Sequence, residues 1–325
     1  MTDRCVRCVE SCSCSPCAAA VAVPGTIAAG KHAGSAGTPP VLAGTRCPVL
    51  PADNSWNQRV DRLPVAHDSS AVINVIGAAD PVHPDFGTVY HAAPNGIPYA
   101  IVSGRTRRVP VSFDYAGESD RGRYPLPRNV PIEGGPRSTG DRHVIVVNRA
   151  TCTDYELFAA YPRAGRWHAG SGAIFNLRSD RLRPAGWTSA DAAGLPILPG
   201  LARYDEVARG AIDHALRFTV SCTAYAYVYP ARHRTSGCSK AHAPPMGLRL
   251  RLRASVNISR LPHQARVVAQ ALKRYGMIVA DNGASWFISG APDRRWKDDD
   301  LHLLGLLEGR DFEVLDTRSL PHPGR

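Results

Sequence analysis

Short apolar runs, separated by segments rich in Gly and Pro, dominate the chain after residue 47. RVPVSFDYA (108–116) alternates apolar and polar positions, which is typical of a strand with one face in the core. HVIVVN (143–148) is continuously apolar and predicts a strand buried on both faces. This strand and DYELFAAYP (154–162) predict a hairpin whose turn contains Cys152.

Three further segments are expected to form strands. They are 96–104, 172–177 and GLRLRLRASV (247–256), in which Arg alternates with Leu. DHALRFTVSCTAYAYVYPA (213–231) predicts one long strand, with its tyrosines on a single face.

Helical periodicity is clearest near the C-terminus. HQARVVAQALKRYG (263–276) places Val267 and Ala271 four residues apart and ends at a glycine. DDDLHLLGLL (298–307) begins with Asp residues that favour a helix start. Many short strands with turn-rich connections, followed by these segments, predict a mainly β fold: an antiparallel jelly-roll-like sandwich with two short C-terminal helices.

The first 46 residues differ in composition from the rest. Ala18–Gly30 is a weak apolar segment preceded by five cysteines, and small residues and Pro follow it. We interpret 1–46 as a disordered leader or a degraded export signal, and 47–325 as a single β-rich domain. The chain has no apolar run long enough to span a bilayer, so no membrane insertion is expected.

Charge and cysteine content refine the picture. The net charge is +11, but Arg is scattered among Asp and Glu, which argues against nucleic acid as a partner. Arg249, Arg251 and Arg253 alternate with Leu and predict a strand face that is solvated or paired with acidic groups. The N-terminal cysteines lack a matching downstream ligand pair, so no metal site is expected.

The remaining four cysteines are widely spaced and even in number. Two disulfides in an exported protein would account for them, with Cys47 joined to Cys152 and Cys222 joined to Cys238. Four separate buried thiols are the alternative.

Candidate acid and base groups flank the predicted hairpin. Glu133 lies in IEGGP, where two glycines allow a close backbone approach. Asp141 and His143 are two residues apart, so their side chains point the same way and can form an acid/base pair. A carboxyl couple such as Glu133/Glu156 or Asp141/Glu156 would suit glycoside hydrolysis.

Candidate binding groups follow in the loops. WHAGSG contains Trp167 and His168, and GWTSADAAGLP contains Trp187 and Asp191; each Trp could stack on a sugar or anchor its loop. Ser171 lacks the spacing and the strand–turn–helix context of a hydrolase nucleophile.

The later strands add a third set of candidates. His214 is expected either in the core or facing a cleft, as a candidate for proton transfer. Arg217, Tyr227 and His233 are assigned to substrate binding, and a convergence of His, Tyr and Arg would also suit a polysaccharide lyase. Asp281, in the turn ADNG, is either a turn residue or a site carboxylate.

Long motifs between Cys47 and Asp316 resemble a family of mostly uncharacterised exported bacterial proteins that are often associated with carbohydrate-binding modules. These motifs include IEGGPRSTGDRHVIVV, WHAGSGAIFNLRS, GWTSADAAGLPILPGL and ALKRYGMIVADNG. The resemblance implies export and a carbohydrate context, and it carries over no catalytic set.

The sequence thus predicts a secreted or cell-surface protein that acts on a polysaccharide or oligosaccharide as a monomer without a cofactor. A glycoside hydrolase is the leading hypothesis. A lyase on acidic glycans and a non-catalytic sugar-binding module are the alternatives.

Overall fold

A mixed six-stranded sheet lies at the centre of the fold, with two four-stranded sheets and a small hairpin beside it. The computed structural model describes residues 37–235 and 237–324. The strands are β1 His83–Asp85, β2 Val89–Tyr90, β3 Ala93–Pro94, β4 Tyr99–Val102, β5 Val109–Phe113, β6 Arg123–Tyr124, β7 Val144–Asn148, β8 Thr153–Phe158, β9 Tyr161–Arg163, β10 Arg166–Ala169, β11 Ser171–Asn176, β12 Leu216–Val220, β13 Arg249–Leu252, β14 Met277–Asn282, β15 Phe287–Ser289 and β16 Phe312–Val314.

The helices are short and few within the described residues. They are α1 Ser69–Ile76, α2 Tyr204–Arg209, α3 His263–Arg274 and α4 Asp298–His302. None of them has the length and apolarity that a bilayer crossing requires. The fold is therefore mainly β, as predicted.

The jelly-roll arrangement is not confirmed. A jelly roll is built from antiparallel strands, whereas the central sheet has the order β1-β15-β12-β14-β13-β16 and contains parallel pairs. β1 runs parallel to β15, and β12 runs parallel to β14. Parallel pairs require long connections, and here β13 and α3 lie between β12 and β14 in the chain.

The hairpin of β7 and β8 is confirmed and separates two apolar cores. Ile145 and Val147 face the larger core, and Val144 and Val146 face the smaller one. All five residues of β7 are buried, as its continuous apolar run predicts. The larger core also contains the buried face of α3, including Val267, Val268, Ala271 and Leu272.

Both predicted C-terminal helices form. α3 ends before Gly276, which has a φ of 68° and whose N–H donates to the Ala271 carbonyl, as expected of a helix-ending glycine. α4 begins at Asp298, but the carboxylate of Asp298 accepts the backbone N–H of Thr88 at 2.9 Å. That residue therefore ties α4 to the segment after β1.

One sequence prediction about strands needs correction, and another is decided between its two alternatives. The long strand expected over 213–231 is limited to β12. The residues beyond Val220 form loops that are held to other segments by single backbone hydrogen bonds. The Arg face of β13 is not solvated: Arg249 is buried and donates to backbone carbonyls, and Arg251 pairs with Glu313 at 2.7 Å. The second contact confirms the pairing with an acidic group.

Both predicted disulfides are present. Cys47 is bonded to Cys152, and Cys222 is bonded to Cys238. Leu42 is buried in the larger core, so the packed chain extends N-terminal to the predicted boundary at Cys47. The cysteines at 5–17 and the predicted leader up to residue 36 lie outside the described residues.

Candidate active site

Four neighbouring strands of the central sheet bring polar side chains around one buried guanidinium. Arg217 of β12 donates from Nη1 to the hydroxyl of Ser289 on β15 at 2.6 Å. Its Nη2 lies 3.5 Å from the carboxylate of Asp281 on β14. Asp85, the last residue of β1, is in register with Ser289.

A β-bulge sets the position of Asp281. The register between β12 and β14 shifts after Phe218, so that Thr219 opposes Asp281 rather than Ala280. Thr219 and Arg217 are two residues apart in a strand and share a face. The extra residue therefore turns Asp281 onto the face that carries Arg217, in the way bulges commonly re-aim side chains.

Asp191 supplies the main counter-charge to Arg217. The Nε and Nη2 atoms of Arg217 lie 3.3 and 3.0 Å from the two carboxylate oxygens of Asp191, and both side chains are almost completely buried. Burial raises the pKa of Asp191, and the guanidinium of Arg217 offsets only part of that rise. We assign the pair as ionised, because a buried Arg keeps its charge and needs a carboxylate nearby.

Glu133 and His143 form a second ion pair beside the first. The ring Nδ1 of His143 lies 2.7 Å from Glu133 Oε2, and the backbone N–H of His143 donates to the same oxygen at 3.2 Å. The other ring nitrogen lies 3.1 Å from the carbonyl of Ala190. The side chain of His143 is 3% exposed, whereas that of Glu133 is 24% exposed and reaches solvent.

The pair shifts both groups toward their charged forms. Desolvation lowers the pKa of His143, but the charge of Glu133 and their hydrogen bond outweigh it and raise this pKa to about 9. Desolvation conversely raises the pKa of Glu133, and the charge of His143 outweighs it, so the net shift is downward. At neutral pH Glu133 is a carboxylate and His143 is an imidazolium.

The pKa of Asp281 is shifted upward, in the direction opposite to that of Glu133. Burial and the nearby charge of Asp191 raise its pKa to about 7, against the effect of Arg217. Its side chain is still 21% exposed, so it can exchange protons with solvent or a ligand. The pKa of Asp85 is also raised. Burial of the Asp85 carboxyl is the main cause, and the charges of Glu133 and Asp141 act in the same direction.

The arrangement therefore combines two partly accessible carboxyl groups in different protonation states. Glu133 is ionised and Asp281 retains a proton near neutrality, and the charge of Arg217 acts on both. Divergent pKa values at neighbouring carboxyl groups are typical of acid/base sites. Such a site can donate a proton from one carboxyl while the other stays negative.

Of the five predicted catalytic residues, three meet at this site. Glu133 and His143 are paired, and Asp141 is exposed and acts electrostatically on His143. Glu156 is fully buried and accepts the backbone N–H groups of Ile197 and Leu198 at 2.9 Å. This position fits the anchoring of a loop rather than contact with a substrate.

His214 lies in a separate buried cluster. Its Nε2 is 3.1 Å from a carboxylate oxygen of Glu206, whose other oxygen is 2.6 Å from Arg203. Desolvation raises the pKa of Glu206, but the charges of Arg203 and His214 outweigh it and lower that pKa to about 2. All three side chains are buried, which favours the core interpretation of His214 over the cleft.

The predicted binding residues are divided among several places. Arg217 and Asp191 lie at the site as a buried ion pair. Trp167 is 8% exposed and belongs to the smaller core, so it offers no open face for stacking. His168 of β10 contacts Ser112 of β5 and Asp114 just after β5, both at 3.1 Å, within the four-stranded sheet that contains β5 and β10.

The other three binding candidates lie in loops. Trp187 is half-buried and lies 5.6 Å, ring centroid to guanidinium carbon, from Arg183. Tyr227 packs against the larger core. His233 places its Nδ1 2.8 Å from the carbonyl of Ala192, and so holds the loop that carries Asp191.

Sequence reasoning missed Asp85 and Ser289. Asp85 stands in HPDFG, which reads as a loop, and the parallel pairing that brings it beside Ser289 leaves no periodic signal in either segment. Among the residues that the structure describes, no group of three or more His, Cys, Asp or Glu side chains is arranged to hold a metal ion.

Comparison of the chain with protein-family models, with curated proteins and with solved structures finds no match. The resemblance noted in the sequence therefore stays a prediction, and the site is interpreted from its own geometry.

Proposed function

We propose that this protein is a glycoside hydrolase, with Asp281 as the proton donor and Glu133 as the anionic carboxylate. The observation that carries the proposal is a pair of partly accessible carboxyl groups that both feel the charge of Arg217: Asp281, 3.5 Å from its Nη2, is poised to hold a proton, and Glu133 is ionised. Glycosidic bond cleavage commonly uses one carboxylic acid and one carboxylate on either side of the bond.

In this mechanism Asp281 protonates the leaving oxygen while Glu133 acts on the anomeric carbon, directly or through a water. The contacts of Glu133 with His143, in the part of the chain that is described, both use Oε2. Oε1 is thus the oxygen left to face a sugar. His143 keeps Glu133 ionised. The buried ion pair of Arg217 and Asp191 sets the electrostatic environment of Asp281.

The geometry favours a hydrolase over a lyase on acidic glycans. A lyase would use an arginine to neutralise the uronate carboxylate. All three guanidinium nitrogens of Arg217 already donate to Asp191, Ser289 or Asp281. The exposed residues of the site include Asp85 and Asp141, whose negative charges would repel an anionic substrate.

The proposal retains an exported protein that acts as a monomer on a polysaccharide. The pair of disulfides, Cys47–Cys152 and Cys222–Cys238, supports the export part of this proposal, because disulfides persist in oxidising compartments.

The test is the release of new reducing ends from a panel of neutral polysaccharides by the full chain, followed by site variants. Asp281→Asn and Glu133→Gln should each lower turnover by about 100-fold or more. Asp61→Asn removes a half-buried carboxylate that is paired with Arg59 and is not one of the candidate site residues, and it serves as the matched control with unchanged turnover.

Absorbance near 235 nm is recorded in parallel, because a lyase makes an unsaturated product. Product with that absorbance, no reducing ends from any polysaccharide of the panel, or variants that keep full turnover would each contradict the proposal.

A further inference from the structure

A cavity of about 640 Å³ opens beside the loop that follows β11, lined by residues other than the ion pairs of the candidate active site. Its wall is mainly apolar, with Leu50, Ile174 and Pro196 among the lining residues, and polar side chains lie among them. Cavities of this size and lining are typical of sites for small organic ligands.

One wall of the cavity is aromatic. Phe175 and Trp187 both line it, and the guanidinium carbon of Arg183 lies 5.8 and 5.6 Å from their ring centroids. Arg183 is buried and is held by Asp120 at 2.5 Å, so it supports the rings from one side. Trp187 is half-buried, which leaves part of its ring free to stack on a ligand.

The position of Trp187 in this wall requires a glycine at position 194. Gly194 has a φ of 71°, and a Cβ added there would come 2.5 Å from the carbonyl oxygen of Trp187. A residue with a side chain would therefore push Trp187 away. Asp191, which lies between them in the chain, binds Arg217, so the same loop forms the cavity wall and part of the candidate active site.

The polar lining is balanced in charge and suited to hydroxyl groups. It contains two carboxylates, Asp120 and Asp180, and two guanidinium groups, Arg181 and Arg183. Asn54 donates to Asp180 Oδ1 at 2.7 Å and orients that carboxylate. A balanced lining favours a neutral ligand, and an oriented carboxylate in the same cavity as an aromatic ring favours one that has both hydroxyl groups and an apolar face.

We infer that this cavity is a binding site for a neutral saccharide, separate from the carboxyl groups proposed to act in catalysis. A pyranose ring has the required combination: its C–H face stacks on Trp187, and its hydroxyl groups donate to Asp180. The inference does not depend on turnover, because it concerns binding alone.

The experiment measures binding of cellobiose, maltose and N,N′-diacetylchitobiose to the full chain by saturation-transfer NMR and titration calorimetry. At least one of these disaccharides should bind saturably. Trp187→Ala should weaken that binding by about tenfold or more, and Trp187→Phe, which keeps an aromatic face, should restore part of it. Tyr225→Ala removes an exposed aromatic outside the cavity and should leave binding unchanged.

Asp281→Asn separates this inference from the proposed function. Saccharide binding within about twofold of the wild type in that variant supports a separate cavity site, whether or not turnover is detected. Three results would each overturn the inference: no saturable binding of any of the three disaccharides, unaltered binding in both Trp187 variants, or loss of binding in Asp281→Asn comparable to that in Trp187→Ala.

Discussion

At the scale of single residues, the environment rather than the residue type separates the roles of Glu133 and Asp281. Both are carboxylic acids with similar ordinary pKa values. Glu133 is paired with an imidazolium, which favours its anion, whereas Asp281 is buried beside the charge of Asp191, which favours its acid form. The same side-chain chemistry can thus supply a base and an acid within one site.

These shifts predict a bell-shaped dependence of kcat/KM on pH. Activity should rise as Glu133 loses its proton, at a pH below its ordinary range because its pKa is lowered. It should fall as pH rises through about 7, because Asp281 must be protonated to act and its pKa is about 7. Initial rates over a pH series measure both limbs.

The Asp281→Asn variant identifies the alkaline limb. Its residual activity should no longer fall near pH 7, since the titrating group is gone, while Asp61→Asn should keep the wild-type profile. An unchanged alkaline limb in Asp281→Asn would assign that limb to another group and would remove Asp281 from its role as acid.

At the scale of elements, the loop from Gly186 to Gly200 is held by polar contacts rather than by regular structure. Asp191 binds Arg217, Glu156 accepts two backbone N–H groups of the loop, and the hydroxyl of Ser171 donates to the Ser189 carbonyl at 2.6 Å. Long loops are ordered when such contacts offset their conformational entropy. Each contact joins the loop to a different strand.

Asp191→Asn should therefore destabilise the protein strongly. It leaves the buried guanidinium of Arg217 without its main counter-charge, which costs about 3–5 kcal/mol of unfolding free energy. Urea unfolding of the two proteins at pH 7 measures the difference.

The matched comparison is the double variant Asp191→Leu/Arg217→Met, which removes both charges. It should recover much of the stability lost in Asp191→Asn, because buried ion pairs are often replaceable by apolar groups. Equal stability of Asp191→Asn and the wild type would contradict the assignment of Asp191 as the essential counter-ion.

At the scale of the whole molecule, the disulfides join segments that lie at very different distances along the chain. Cys47 and Cys152 are separated by 105 positions, and Cys222 and Cys238 by 16. Cys47 also lies in the larger core, close to the turn of the β7–β8 hairpin that divides the two cores.

Removing the longer-range disulfide should cost more stability than removing the shorter one. Loop-closure entropy predicts a loss of about 4–5 kcal/mol for Cys47→Ala/Cys152→Ala and about 3 kcal/mol for Cys222→Ala/Cys238→Ala. Urea unfolding of both double variants beside the oxidised wild type compares the two losses. A larger loss of stability in Cys222→Ala/Cys238→Ala than in Cys47→Ala/Cys152→Ala would show that the length of the closed loop does not govern the effect.

Local pattern alone determined much of the secondary structure and part of the site. The apolar runs located β7, β8 and α3, because side-chain periodicity follows directly from strand and helix geometry. Glu133, Asp141 and His143 were also identified from local cues, the two glycines after Glu133 and the two-residue spacing of Asp141 and His143, although the pairing of His143 with Glu133 was not predicted.

Tertiary structure alone decided which strands pair and which charges meet. Hydrophobic alternation marks a strand but does not specify its neighbour, so the parallel pairs that replace the predicted jelly roll left no local signal. The same limit applies to Asp85 and to Trp167: one enters the site through parallel pairing, and the other is buried by a neighbouring sheet. Long-range packing also decides between the two sequence interpretations of Asp281, turn residue or site carboxylate, and raises its pKa to about 7, because burial and the charge of Asp191 exist only in the folded chain.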